Sequence, residues 1–193
     1  MSLHLPKEIS SNTIYLRLLT NSDAKEYYVN WLNDNEVNRF LETRFNDHSI
    51  EDLKKYISNF DQKSHFLFGI FDNTSDLHIG NITLDISPHN VAYFGYLIGE
   101  KNYWGTPSAT EAICLILDFA FEFMNVRKVW GEIVKNNLPA IFNIHRLGFQ
   151  REGTLRQQVT DKGEITDVLE YGLLRDEWAI SKEKFKKIKR IIK

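Results

Sequence analysis

The chain has 193 residues, 24 Lys and Arg against 26 Asp and Glu, and a formal net charge of −2 at pH 7. That length supports one domain with a substantial core and no need of disulfides, and the balanced charge argues against nucleic acid as an obligatory partner. The single cysteine excludes an internal disulfide framework and suits a reducing, cytoplasmic location. No apolar run reaches membrane-spanning length, and Met1 to Ile9 lacks the apolar stretch of a secretory signal.

Ile14 to Leu18 predicts a first strand, and Asn21 to Leu32 a helix capped by Asn21 or Ser22. Asn33 to Asp47 reads as a polar helix–loop arm, and Ser49 caps a helix running to Phe60. Strand-like runs follow at Phe66 to Phe71, His78 to Ile86 and Val91 to Ile98, separated by Asp72-Asn73 and by Ser87-Pro88-His89-Asn90. A strongly apolar helix opens at Ser108, and Cys114 inside it is expected as a small buried hydrophobe rather than a nucleophile. Lys128 to Lys135 predicts a strand, and the next helix has Pro139 in its first turn and stops at Gly148. Gly153 to Val159 and Val168 to Leu174 are expected to pair around Asp161-Lys162-Gly163. In the basic end, Lys182 to Lys193, Phe185, Ile188 and Ile192 recur at helical spacing. This predicts an amphipathic helix docking one face, the alternative being an arm that attracts phosphate or a membrane surface. Consecutive strands with helices between them predict an α/β fold, a mixed sheet covered by helices on both faces. We read one domain over 1–193, with its core at 14–178 and a basic tail at 179–193.

Two stretches carry chemistry. From Leu97 to Phe123 a β-like segment runs through a loop of small residues directly into the apolar helix. Orphan amides and the positive dipole end of a helix favour an anion at such a place. Ser108-Ala109-Thr110-Glu111 reads as a capping box, with Ser108 as N-cap and Glu111 reaching back. From Glu132 to Phe149 a strand ends at Asn136-Asn137 and a short helix follows.

In this order the two stretches resemble the Gcn5-related N-acetyltransferase superfamily. Trp104-Gly105 followed by Ala109-Thr110-Glu111-Ala112 matches its cofactor loop and helix, and Asn137, Ala140 and Leu147-Gly148-Phe149 match its closing motif. Tyr15-Leu16-Arg17 and the YWG…ATEA wording are similar to the branch of ribosomal-protein N-terminal acetyltransferases. The resemblance spans Ile14 to Trp178. It implies a splayed mixed sheet, acetyl-CoA as co-substrate, no metal, a primary-amine acceptor, and a monomer or homodimer.

The resemblance places the coenzyme diphosphate on Gly105, Thr106, Ser108, Ala109 and Thr110. The pantetheine arm would lie along Leu97 and Ile98, with Asn137 on its other side. The chain departs from the family at Pro107, where glycine is usual, and at Thr106, where a basic residue is common. Proline has no N–H to give. Charge-assisted hydrogen bonds contribute roughly 1.5–3 kcal/mol, so one lost donor weakens binding about tenfold or more, with the Ser108 hydroxyl as a compensating donor. Glu132 matches the glutamate of the ribosomal-protein branch and is the expected base. Strand alternation sets it on one face with Trp130 and Val134. The alternative is a carboxylate paired with a surface Lys or Arg. The tyrosine this family often uses as acid falls on Ile144, so no acid is assigned. On the arm, Arg39 and Arg44 are candidates for clamping a phosphate or carboxylate and Glu42 for holding an ammonium or sugar hydroxyls, or else they form a charge-mixed helix face. Tyr96 is a candidate stacking surface for the acceptor. The wording NWLND–EVNRFLETR is similar to acetyltransferases of nucleotide-linked amino sugars. The leading expectation is therefore acetylation of such a sugar or another small amine. The alternatives are N-terminal acetylation of a protein such as a ribosomal protein, and a non-catalytic acyl-CoA-binding domain.

Overall fold

The computed structural model describes residues 5–192; Met1 to His4 of the N-terminal stretch and Lys193 of the basic tail lie outside the described residues. A short strand β1 (Ile9–Ser10) turns into β2 (Ile14–Leu18), where Ile14 and Leu16 are fully buried. The helix expected from Asn21 is broken. Asn21–Asp23 makes one tight turn because the Asp23 carboxylate accepts from the Thr20 amide at 2.8 Å, and α1 (Glu26–Asn33) begins only after an extended Lys25. The arm beyond α1 is turn, with one 3-10 turn at Glu42–Phe45. Helix α2 (Ile50–Ser58) starts as expected: Ser49 Oγ accepts from the Asp52 amide at 3.2 Å, and Asp52 accepts from the Ser49 amide at 3.3 Å.

Strands β3 (His65–Asp72), β4 (His78–Ile86) and β5 (Val91–Ile98) continue from β2 as an antiparallel meander. Helix α3 (Ser108–Asp118) widens at its end into a π turn, Phe119–Phe123, in which the Met124 amide donates to the Phe119 carbonyl at 2.9 Å. Then come β6 (Lys128–Val134), α4 (Leu138–Leu147), β7 (Gln150–Asp161), β8 (Glu164–Leu174), α5 (Arg175–Ser181) and β9 (Ile191–Ile192). One mixed sheet results, in the order β7-β8-β6-β5-β4-β3-β2-β1-β9. The β7–β8 hairpin turns at Lys162 and Gly163, both with positive φ. Its strands are longer than expected, because β7 continues past an irregularity between Leu155 and Val159.

Strand β3 is apolar on both faces because both are covered. Phe66, Phe68 and Ile70 join α3 and α4 in the larger core, whereas Leu67 and Phe71 meet Tyr28, Trp31, Leu53 and Ile57 of α1 and α2 in a second core. Cys114 is fully buried in the larger core, and burial pushes its thiol up to about 12, so it behaves as a small hydrophobe.

Two expectations are corrected. Helix α3 is capped by Pro107, and Ser108 is already its first residue. Glu111 does not reach back. Buried at 4% exposure, its carboxylate accepts from Ser11 Oγ at 2.6 Å, the Thr13 amide at 3.1 Å and Thr13 Oγ1 at 3.0 Å. The β1–β2 turn brings three donors to a carboxylate that has left water, and they outcompete the local cap. The tail is likewise not a helix. After a 3-10 turn at Lys182–Phe185 it extends and pairs as β9 with β1. Phe185 and Ile188 pack on the core as their spacing predicted. Asn12, however, holds the Lys187 carbonyl at 3.0 Å and the Lys189 amide at 2.9 Å, and Arg190 Nε meets Asp118 at 2.8 Å.

The sheet parts in its middle. Strands β5 and β6 are parallel but pair only over Val91–Tyr93 and Lys128–Trp130. Next on β6 is Gly131, where a Cβ would lie 3.0 Å from the Phe94 carbonyl oxygen, a contact so tight that the neighbouring backbone would have to give way. Beyond it the strands diverge, β5 still paired with β4 to Ile98 and β6 with β8 to Val134. This is the splay that the resemblance implied.

Replacing Glu111 by alanine strands the donors of Ser11 and Thr13 and is expected to destabilise the fold by about 2–4 kcal/mol. Chemical denaturation measures this, and a wild-type midpoint would show that the buried carboxylate does not clamp the two elements.

Candidate active site

The gap between β5 and β6 opens into a cleft of about 1150 Å³ bounded by the arm, the loop before α3, α4 and the tail. At the entrance of α3, the amides of Gly105, Ala109 and Thr110 have no hydrogen-bond partner among the described residues. The Thr106 amide is given to the Tyr103 carbonyl at 3.3 Å, and the Glu111 amide to the Pro107 carbonyl at 2.9 Å. Ser108 is buried with its Oγ 3.0 Å from that of Thr106, so its hydroxyl belongs to the loop's own bonding. Three unbonded amides at the positive end of an eleven-residue helix fit a diphosphate, even without an N–H at Pro107. Trp104 ties the loop to the splayed strand by donating its indole N–H to the Ile98 carbonyl at 2.8 Å, and Leu97 and Ile98 both line the cleft.

Across the gap, Asn137 Oδ1 caps α4 by accepting from the Ala140 amide at 3.3 Å, and the residue lines the cleft. Gly148 ends the helix in the left-handed conformation, with φ 95°. Ile144 faces the core at 1% exposure and brings no proton donor to the site. Asn143 emerges instead. Thr110 Oγ1 donates to its Oδ1 at 3.4 Å, and Asn143 hydrogen-bonds Tyr96, so a polar chain joins α3, α4 and β5. Burial raises the Tyr96 phenol above its usual range, with the Asn143 hydrogen bond opposing. An asparagine in a helix interior is disfavoured, and that was the signal for it in the sequence.

At the other end, Glu132 lines the cleft and faces Glu170 across the β6–β8 pairing. Burial, then Glu170 and Glu42, raise its carboxyl above the ordinary range. No cation forms an ion pair with it among the described residues. Tyr93 stands beside it, its phenol pushed up by burial and then by the Glu132 charge.

The arginines of the arm are occupied. Arg39 grips Asp161 with Nε at 2.9 Å and Nη2 at 2.8 Å, and Asn136 donates to the same carboxylate at 3.0 Å. Arg44, which lies outside the cleft lining, gives Nη1 to the Leu41 carbonyl at 2.7 Å and Nη2 to the Thr160 carbonyl at 2.9 Å. Both residues thereby fasten the arm to the β7–β8 hairpin. Glu42 remains 77% exposed, 3.6 Å from Arg44. The cleft's lining thus carries carboxylates at the arm and Arg146, Lys184 and Lys187 near α4 and the tail.

A family model described as an acetyltransferase (GNAT) domain matches residues 13–150. The chain belongs to the GNAT acetyltransferases. It is 30% identical over 169 residues to the uncharacterized N-acetyltransferase p20 of Bacillus licheniformis, covering 85% of this chain and 94% of that one. Among solved GNAT structures, Mycobacterium smegmatis RimJ in complex with CoA-disulfide shares the fold at a TM-score of 0.79 and 16% identity, over 95% of this chain and 97% of that one. Spermidine N-acetyltransferase from Vibrio cholerae, in complex with CoA and spermine, shares it at 0.76 and 22% identity, over 86% and 98%. The chain is therefore an acetyl-CoA-dependent acyltransferase. No helix among the described residues is long and apolar enough to cross a membrane.

In this GNAT chain the hairpin latch has a pH signature. Arg39, then Asn136, lower the Asp161 carboxyl from 3.8 to about 2. A depressed folded pKa contributes stability that is full above about pH 4 and is lost as pH falls through about 2. Asp161→Asn is therefore expected to be less stable than wild type at neutral pH, with the gap closing between pH 4 and 2. A gap that stays constant over that window in denaturant titrations would show that the carboxylate charge does not hold the latch.

Proposed function

We propose that this GNAT enzyme acetylates a primary amine on a small, positively charged acceptor. The charge layout of the cleft carries the reading. Glu132 and Glu42 stand at its acceptor end with Glu170 alongside, and the guanidiniums of Arg39 and Arg44 are engaged elsewhere. The nucleotide-linked sugar expected from the sequence relied on those arginines to clamp a phosphate, and this layout disfavours such an anion. The relative from Vibrio cholerae, described with spermine, acts on an amine of the favoured kind.

Acetyl-CoA, when bound, supplies the acetyl group as a thioester. The amides of Gly105, Ala109 and Thr110 would hold its diphosphate, and Asn137 with the free edge of β5 would align its pantetheine arm. An ammonium has no lone pair, so Glu132 takes its proton, directly or through one water, before nitrogen attacks. Its raised carboxyl pKa brings it nearer to a base matched to neutral pH. Tyr96, which lines the cleft with its phenol kept protonated by burial, would give a proton to the departing thiolate. A protein N-terminal amine is a second cationic acceptor that the same carboxylates suit.

Following free thiol with acetyl-CoA and a panel of polyamines, nucleotide-linked amino sugars and Ala- or Ser-starting peptides tests the reading. Turnover with the sugars and none with the cationic amines would sink it. Glu132→Gln is expected to lower kcat/KM by about 10²–10⁴-fold. Because Glu170 helps to raise the Glu132 carboxyl, Glu170→Gln should move the acid limb of the pH–rate profile to lower pH. An unmoved limb would take the base assignment from Glu132.

A further inference from the structure

The basic C-terminal segment runs along the rim of the cleft and is fastened there from several sides. Phe185 is buried at 8% exposure, with the Arg146 guanidinium 6.0 Å from its ring centre. Asn12 holds the backbone on either side of Ile188, Arg190 pairs with Asp118 of α3, and β9 closes on β1. These anchors fix which side chains face inward. Lys184 and Lys187, three residues apart, line the cleft, while Lys182 turns to Glu122 outside it. Neither Lys184 nor Lys187 forms an ion pair among the described residues. Arg146, in the last turn of α4, lines the same wall.

The entrance of α3 offers neutral donors only, the amides of Gly105, Ala109 and Thr110. Amides and a helix dipole suit a diphosphate, whose charge is shared between two phosphoryl groups. Coenzyme A carries one further anion, the monoester phosphate on its ribose, with a charge of roughly −1.5 to −2 at neutral pH. Such a group calls for cations, and the cleft's unpaired cations are gathered on this wall.

We propose that Lys184, Lys187 and Arg146 form the binding site for the ribose 3′-phosphate of the coenzyme, which makes the C-terminal segment a wall of the coenzyme site. The inference rests on the acetyl-CoA reading above. Calorimetric titration of the full chain with CoA and with 3′-dephospho-CoA, at one fixed ionic strength, tests it. Wild type is expected to bind CoA about tenfold more tightly than 3′-dephospho-CoA, the scale of charge-assisted contacts to a phosphate. The double variant Lys184→Gln/Lys187→Gln should lose about that factor for CoA while its affinity for 3′-dephospho-CoA changes by less than about twofold. Both lysines are exposed, so its melting temperature should match wild type. Arginine at both positions should restore the preference. Equal wild-type affinity for the two ligands overturns the proposal, as does a double variant that keeps the preference or weakens both ligands alike. Wild type that binds neither ligand would remove the acetyl-CoA reading itself, and the phosphate site with it.

Discussion

Three residue pairs of parallel sheet hold β5 to β6, and what happens after the third pair determines the rest of the molecule. Had the ladder continued, the inner edges of both strands would be satisfied by each other and no cleft would exist. At Gly131 the strands are close enough that a side chain would crowd the Phe94 carbonyl, and beyond it they diverge while their outer edges stay paired. The free edge of β5, the entrance of α3 and the cap of α4 all meet at that opening. Parallel sheets are ordinarily buried and fully paired, so this interruption is a feature that the surrounding antiparallel strands must hold in place.

Ionic groups around the opening fall into two kinds. Some are fasteners: Arg39 with Asp161, Arg44 with two backbone carbonyls, and Glu111 with Ser11 and Thr13. These are satisfied within the fold and have little left to offer a ligand. Others, Glu132 and the cations of the tail wall, lack such partners and set the polarity of the cleft. Charge type alone does not separate the two kinds, and partner geometry does.

This distinction also marks how far the sequence was legible. β4 and β5 had the boundaries that alternation and turn residues predicted, and α2 began at its capping box, because those signals are local. Family membership was legible in two short stretches for the same reason. Glu111 misled because its true partners lie about a hundred positions away, and Arg39 looked free because Asp161 is 122 positions distant. The C-terminal spacing identified Phe185 and Ile188 as anchors, but a helix and an extended strap can bury the same pair, and only contacts with Asn12 and β1 decide between them. The splay left one trace in the sequence, a glycine within a strand, which becomes informative once its neighbour Phe94 is known.

The sheet separates two hydrophobic interiors. The one beneath α3 and α4 supports the amides and caps that suit a coenzyme, while the one beneath α1 and α2 supports the arm along the opposite wall. Drift in the arm can therefore proceed on its own foundation, without disturbing the packing behind the shared grip. A scaffold divided in this way lets a peripheral stretch change while the opposite wall keeps its shape. It gives a physical reason why the two walls of one cleft can vary separately.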